Sequence, residues 1–380
     1  MGKRRGHGEG SIYQRQDGRW CTSIDLGYVN GKRKRKVIYG KTRKEVAEAL
    51  KVILRDRQLG LPVAVERQTV EQYLTRWLAD VAAPKVRPST MQVYEETVRR
   101  IVPHIGRVPL TKLTPQDVQR MLQAIAAAGA AASSVARARA VLRNALGQAV
   151  RWGLVPRNVA ALTDAPNDER KRPKVLTPQE ARRLLDAVRG ERFEALYHIA
   201  LTLGLRQGEL LGLRWHDVDL AAGTIRIEQT VKMVRGKLII QAPKTHRSRR
   251  TLPLPPTLID QLHQHRMRQR VEQAQAGDRW QDHDLVFASM VGTPTSPRNL
   301  LRSFWRILER AELPHMRFHD LRHACATLLA AQGVPPRVAM EILGHAHIST
   351  TMNIYTHVLD DSTKHAIVGM DALFGMKDES

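Results

Sequence analysis

Residues 319–355 read HDLRHACATLLAAQGVPPRVAMEILGHAHISTTMNIY, and the spacing of their polar groups organises the reading of the whole chain. Three positions apart, His319 and Arg322 share one face of a helical turn. Leu343-Gly344-His345 adds a second histidine, and Tyr355 lies ten residues beyond it. Working toward the N-terminus, LGLRQGELLGLRW (residues 203–215) places Arg206 after one apolar helix and before another, with Glu209 three residues on. Between these stretches, APKTHRSRRTLPL (residues 242–254) carries Lys244 at an expected strand turn, within a β segment near 223–254.

Two arginines, two histidines, a lysine and a tyrosine are what metal-free cleavage of a phosphodiester needs. Charge growing on the non-bridging phosphate oxygens must be neutralised. Arginine suits that task, because its planar fork binds two oxygens and stays charged. One proton must leave the nucleophile and another must reach the departing oxygen, work for histidine and lysine. Free tyrosine has a pKa of about 10, so its hydroxyl needs help at neutral pH, and nearby arginines are expected to lower it.

Each residue also has an ordinary role open to it. Arg206 could bond a helix C-terminus, His345 after Gly344 could belong to a C-terminal cap, and Tyr355 could be plain core. His319 and His323, with His345 or His347, could ligate zinc, although HDLRH lacks the glutamate of the zinc-protease helix.

Composition narrows the partners. Lysine and arginine total 61 against 37 acidic residues, a formal net charge of +24, which favours a polyanion such as nucleic acid. Cys21 and Cys325 lie too far apart in sequence to suggest a metal or disulfide framework, the habit of a reducing compartment. No apolar run is long enough to span a bilayer, and MGKRRGHGEG lacks the apolar stretch of a signal peptide, so a cytoplasmic location is expected.

Three regions follow. Residues 1–60 hold three short β runs separated by Asp17-Gly18 and Asn30-Gly31, both hairpin signals. A helix follows them, with Thr42 and Glu45 as capping box, Val46, Leu50, Ile53 and Leu54 on one face, and Gly60 as its stop. This region carries 16 basic against 6 acidic side chains. Residues 68–160 predict a four-helix bundle: Val70–Val81, a helix capped by Ser89 and running through Ile101, one from Thr114-Pro115 to Gly129, and Ser133–Trp152. A polar linker, Asp164–Lys174, leads to residues 174–375, a mixed, mainly α region with a small antiparallel sheet, opening on Thr177-Pro178-Gln179-Glu180. The fold class is therefore multidomain.

Arg-x-Gly-Glu-Leu, His-Asp-Leu-Arg-His, Leu-Gly-His and the following Tyr, in this order and spacing, resemble the tyrosine recombinase (phage integrase) family over essentially the whole chain. Leu203 departs mildly, where many relatives have threonine. The resemblance implies an integrase of a phage or conjugative element, a site-specific recombinase working through a 3′-phosphotyrosine without metal, ATP or other cofactor. Residues 1–60 would then read arm-type DNA and 68–160 the core site, while 174–375 would catalyse. Arg206 and Arg322 would clamp the scissile phosphate, His319 would transfer a proton, and Lys244 would protonate the leaving 5′ oxygen. His345 would hydrogen-bond the phosphate, Glu209 would support Arg206, and Tyr355 would attack. The implied partners are double-stranded attachment-site DNA, three further copies of the chain, a host DNA-bending protein and an excisionase. The amphipathic tail His357–Phe374 would couple protomers. A non-catalytic DNA-binding regulator that kept the fold is the alternative from another class.

Overall fold

In the computed structural model, the described residues are 11–29, 32–58, 68–164, 175–243, 248–345 and 347–355. The chain divides into two compact units, Met1–Arg170 and Lys171–Ser380.

The first unit begins with the antiparallel sheet β1 (Tyr13–Gln14), β2 (Trp20–Val29) and β3 (Lys32–Gly40), in that spatial order. Gly18 turns β1 into β2 at a φ of +79°, a conformation that costs glycine nothing sterically. The expected turn at Asn30-Gly31 lies outside the described residues. Helix α1 (Arg43–Gln58) follows. Thr42 Oγ1 accepts from the Glu45 amide at 3.2 Å, but the Glu45 carboxylate reaches the Lys41 amide at 2.8 Å, one residue before the expected partner. Val46 and Leu50 are buried, as are Cys21 and Ile24 of β2. Gly60 lies outside the described residues.

Four helices follow in the same unit. α2 (Val70–Trp77) is closed at its start by a complete Thr69–Gln72 capping box and continues as a π-turn, Leu78–Ala82. α3 (Pro88–Ile105) corrects the expected cap. Arg87 is the extended residue before the helix and Pro88 its first helical residue, where a missing N–H is harmless, so Ser89 is already inside. This helix also runs past Ile101 through Pro103. α4 (Pro115–Ala127) has the Thr114 cap, reciprocated by Asp117, and α5 (Ala132–Arg151) runs nearly as expected. Tyr73, Trp77, Ile101, Met121, Leu142 and Leu146 fill the shared core.

The second unit carries α6 (Pro178–Ala187), α7 (Glu194–Thr202) and the single-turn α8 (Gln207–Leu211) ahead of its sheets. Strands β4 (Val218–Asp219), β5 (Thr224–Ile227) and β8 (Arg250–Pro253) make an antiparallel sheet, while β6 (Thr230–Val234) and β7 (Lys237–Gln241) form a hairpin. Register pairs Ile225 with Leu252 and Ile227 with Arg250. Helices α9 (Pro256–Ala276), α10 (Pro297–Arg310), α11 (Asp320–Ala331), α12 (Pro336–Leu343) and α13 (Ile348–Tyr355) complete the unit. α7 is buried on nearly every face, which explains its largely apolar sequence. Around it pack Leu184, Phe287, Phe304, Phe318 and Leu321. The tail His357–Phe374 lies outside the described residues. Among the described residues no helix is long and apolar enough to cross a membrane.

Candidate active site

The end of α7 sets the first arginine. Gly204 takes a φ of +60°, and a Cβ built there would meet Leu343 Cδ2 at 2.4 Å and Cys325 Sγ at 3.1 Å. Only glycine lets α7, α11 and α12 approach this closely. Two residues on, Arg206 is the extended residue before α8. The Glu209 carboxylate accepts from the Arg206 amide at 3.1 Å and from Arg206 Nη1 at 2.7 Å. Arg206 Nη2 donates to the Gly344 carbonyl at 3.0 Å. The guanidinium is thus held from two sides while its side chain stays 36% exposed.

Helix α11 supplies the next two groups. Asp320 of the HDLRH stretch accepts from the Arg317 amide at 2.9 Å and from Arg317 Nη2 at 2.7 Å, closing the turn that starts the helix. His319 precedes that helix, and Arg322 sits in its first turn, buried to 3% exposure. Arg322 Nη1 donates to the Gly204 carbonyl at 2.7 Å, whereas Nη2 is buried with no acceptor among the described residues. Burial, then the neighbouring Arg206, pushes Arg322 down to about 9, still cationic at neutral pH.

His345 leaves α12 through Gly344, a left-handed cap at φ +64°, with the His345 amide donating back to the Met340 carbonyl at 3.1 Å. Gly344 and His345 therefore share the cap through their backbones, the Gly344 amide donating to the Glu341 carbonyl at 3.2 Å, and this leaves the His345 side chain free to point onward. Its Nδ1 lies 2.9 Å from Thr351 Oγ1 on α13, a buried partner that the sequence did not single out. Burial, then Arg322 and Arg206, pushes the His345 ring down to about 3. His319 is exposed, yet desolvation by the protein around its ring, then His323, Arg322 and Arg206, pushes it down to about 4. Both rings are neutral at pH 7.

Tyr355, the last residue of α13, is buried, and its hydroxyl donates to the Val334 carbonyl at 2.8 Å. Burial, followed by Cys325, raises its pKa, opposite to the lowering expected from nearby arginines. Lys244 lies outside the described residues. Lys232 and Lys237, the other lysines of this β segment, sit on β6 and β7. Among the described residues no three His, Cys, Asp or Glu side chains are grouped to hold a metal ion, so the zinc alternative has no third ligand there.

A second residue escaped the sequence reading. Arg250, on β8, is 8% exposed in its side chain and donates from Nη2 to Glu209 Oε2 at 3.2 Å. Glu209 therefore bridges two arginines. Despite its burial the carboxyl is held below its ordinary range by Arg250 and Arg206.

The phage integrase family model matches residues 174–362, the unit that holds this cluster, and a phage integrase N-terminal SAM-like domain model matches residues 69–126. A protein named tyrosine recombinase XerC-like, from Caldanaerobacter subterraneus subsp. tengcongensis, is 32% identical over 91% of this chain and 93% of its own length. The chain belongs to the phage integrase family of tyrosine recombinases. An integrase of Streptomyces ambofaciens is also 32% identical to this recombinase, over 98% of each chain. Among solved structures, the Tn1549 transposon integrase in complex with transposon right end DNA superposes with a TM-score of 0.69 at 20% identity, over 79% of this recombinase and 98% of that chain. A lambda integrase dimer bound to a core site gives 0.57 at 20% identity, over 93% of this recombinase and 96% of that chain. The enzyme is a site-specific DNA recombinase, and the multidomain fold expected from its sequence is the one observed.

Proposed function

We propose that Arg206 and Arg322 receive the two non-bridging oxygens of a scissile phosphate and that Tyr355 attacks its phosphorus. The observation that carries this is the buried Arg322 Nη2, which has no acceptor among the described residues and sits beside the half-exposed Arg206 and two neutral histidines. A buried donor without an acceptor calls for a functional explanation, and a dianionic transition state supplies the missing one. In the forward step the Tyr355 oxygen bonds phosphorus and the bond from phosphorus to the 5′ oxygen breaks. The phenolic proton passes to His319, which is neutral before DNA binds and gains basicity as negative charge builds on the phosphate beside it. Lys244 gives a proton to the leaving 5′ oxygen, and His345 hydrogen-bonds the phosphate. If Thr351 donates to His345 Nδ1, the ring's other nitrogen carries the N–H for that bond. A 5′ hydroxyl from the partner strand then reverses the step and releases Tyr355. Bond energy is kept in the phosphotyrosine, so the route needs neither ATP nor a metal.

On this reading Tyr355 exchanges the Val334 carbonyl for the phosphate when DNA binds. Residues 1–60 read arm-type DNA, residues 68–160 read the core site and residues 174–375 catalyse. Four copies act on paired attachment sites of a phage or conjugative element, coupled through the tail His357–Phe374. A DNA-bending protein and an excisionase set direction, and the enzyme works in the cytoplasm on the nucleoid. The test is a duplex built from DNA flanking the gene and nicked beside the cleavage point. Incubated in chelator without ATP, it should yield a denaturant-resistant protein–DNA adduct. A duplex that is bound but never captured would instead favour a DNA-binding regulator.

A further inference from the structure

Arg250 is a buried cation to which the proposed chemistry gives no part. It lies on β8, in the same strand as Leu252 and on the same inward side. Its guanidinium makes three bonds, each to a different segment of the site. Nε donates to the Ile342 carbonyl at 2.8 Å, in the last turn of α12; Nη1 donates to the Ser248 carbonyl at 3.1 Å; Nη2 donates to Glu209 Oε2 at 3.2 Å. A Cβ at Gly344 would come within 2.8 Å of Nη1, so the α12 cap also packs directly on this side chain. Arg206 makes the complementary pair of bonds, to the other Glu209 oxygen and to the Gly344 carbonyl. Both arginines therefore hold the same carboxylate and the same helix end, the one that delivers His345.

We propose that Arg250 is a positioning residue for strand cleavage, locking Glu209 and the α12 C-terminus so that the Arg206 fork and His345 meet the phosphate in one geometry. Glu209 accepts from Arg206 through both oxygens, one to the backbone and one to the side chain. Without Arg250 its carboxylate can rotate toward Arg206 alone and turn that fork away from the substrate. Burying a guanidinium costs far more than a strand position on a small sheet would justify. Its place there fits a demand for geometry at the adjoining site.

The proposal rests on Arg206 as a phosphate ligand, and the experiment separates the two. Full-length Arg250→Met, Arg250→Lys and Arg206→Lys would be compared on the nicked duplex, measuring DNA affinity and the adduct-forming rate at saturating DNA. Arg250→Met should lower the saturated rate at least tenfold with affinity unchanged within about twofold, and Arg250→Lys should recover part of the rate. In an Glu209→Gln background, Arg250→Met should cost much less than it does alone, because the carboxylate it holds is gone. If Arg250→Met proves unfolded, Arg250→Lys carries the test with the same expected split. Wild-type rates in the folded Arg250 variants, or equal losses with and without Glu209, would overturn the proposal. Wild-type cleavage by Arg206→Lys would instead remove the reading on which it rests.

Discussion

Arg206 and Arg322 differ in what holds them, and both are committed to geometry rather than to charge alone. Arg206 is tied by Glu209 and Gly344, and Arg322 by Gly204. Lysine at either place keeps the charge and loses the fork. Arg206→Lys and Arg322→Lys should each lower cleavage by about a hundredfold or more, while the many other basic residues preserve most of the DNA affinity. Rates within tenfold of wild type at both positions would show that the arginines serve structure. A second expectation concerns protons. The folded rings of His345 and His319 titrate at about 3 and about 4, against about 6.5 in an unfolded chain. Between those limits the unfolded state binds protons that the folded rings refuse, so stability is present above about pH 6.5 and is lost as pH falls toward 4. Urea midpoints at pH 7 and pH 5 should fall less in His345→Gln than in wild type. Equal falls would place the ring in an ordinary solvated setting. Of these residues, all but Arg250 and Thr351 were legible in sequence. Arg250 hides in a basic run with Lys244, Arg247 and Arg249, and only its alternation with the buried Leu252 and Leu254 hinted that it points inward.

At the scale of elements, the site depends on how α7, α11 and α12 end and begin. Gly344 is the clearest case, because its φ of +64° and the Arg250 contact both disfavour a side chain. Gly344→Ala should lose about 1–2 kcal/mol from the left-handed backbone alone. It should also displace Arg250 and slow cleavage. Thermal unfolding with parallel adduct assays would check this, and an unchanged Tm would contradict it. Helix starts were the most legible features. Thr114 and Thr177 each accept from the amide three residues on, as a Thr-Pro-x-acid pattern implies. The start of α3 was misread because Ser89 is a good cap in isolation, whereas Pro88 already supplies a fixed helical φ one residue earlier. Thr351 could not be foreseen, since its value comes from a contact across the turn that only the fold creates.

For the whole molecule, different periodicities in the sequence suggest three regions, whereas the chain divides into two compact units, and the convergence of Arg206, Arg322 and His345 was legible only through the family resemblance. Residues 11–58 form their own sheet and helix, which motivates a modular expectation. Removing residues 1–60 should leave adduct formation at the core site intact and abolish productive integration. Identical footprints of full-length and truncated protein would remove the idea of a second DNA-reading module. The mechanism itself converges on one oxygen atom. Tyr355→Phe keeps the ring in its buried seat and deletes only the hydroxyl, so DNA binding should be unchanged. Tyr197→Phe is the control, since that ring is buried in the core and stacked on Phe304 at 6.0 Å. On the nicked duplex, wild type and Tyr197→Phe should form the covalent adduct and Tyr355→Phe should form none, with the DNA-linked peptide of wild type mapping to Tyr355. Adduct at wild-type yield from Tyr355→Phe, or a linkage mapped to any other residue, would contradict the mechanism.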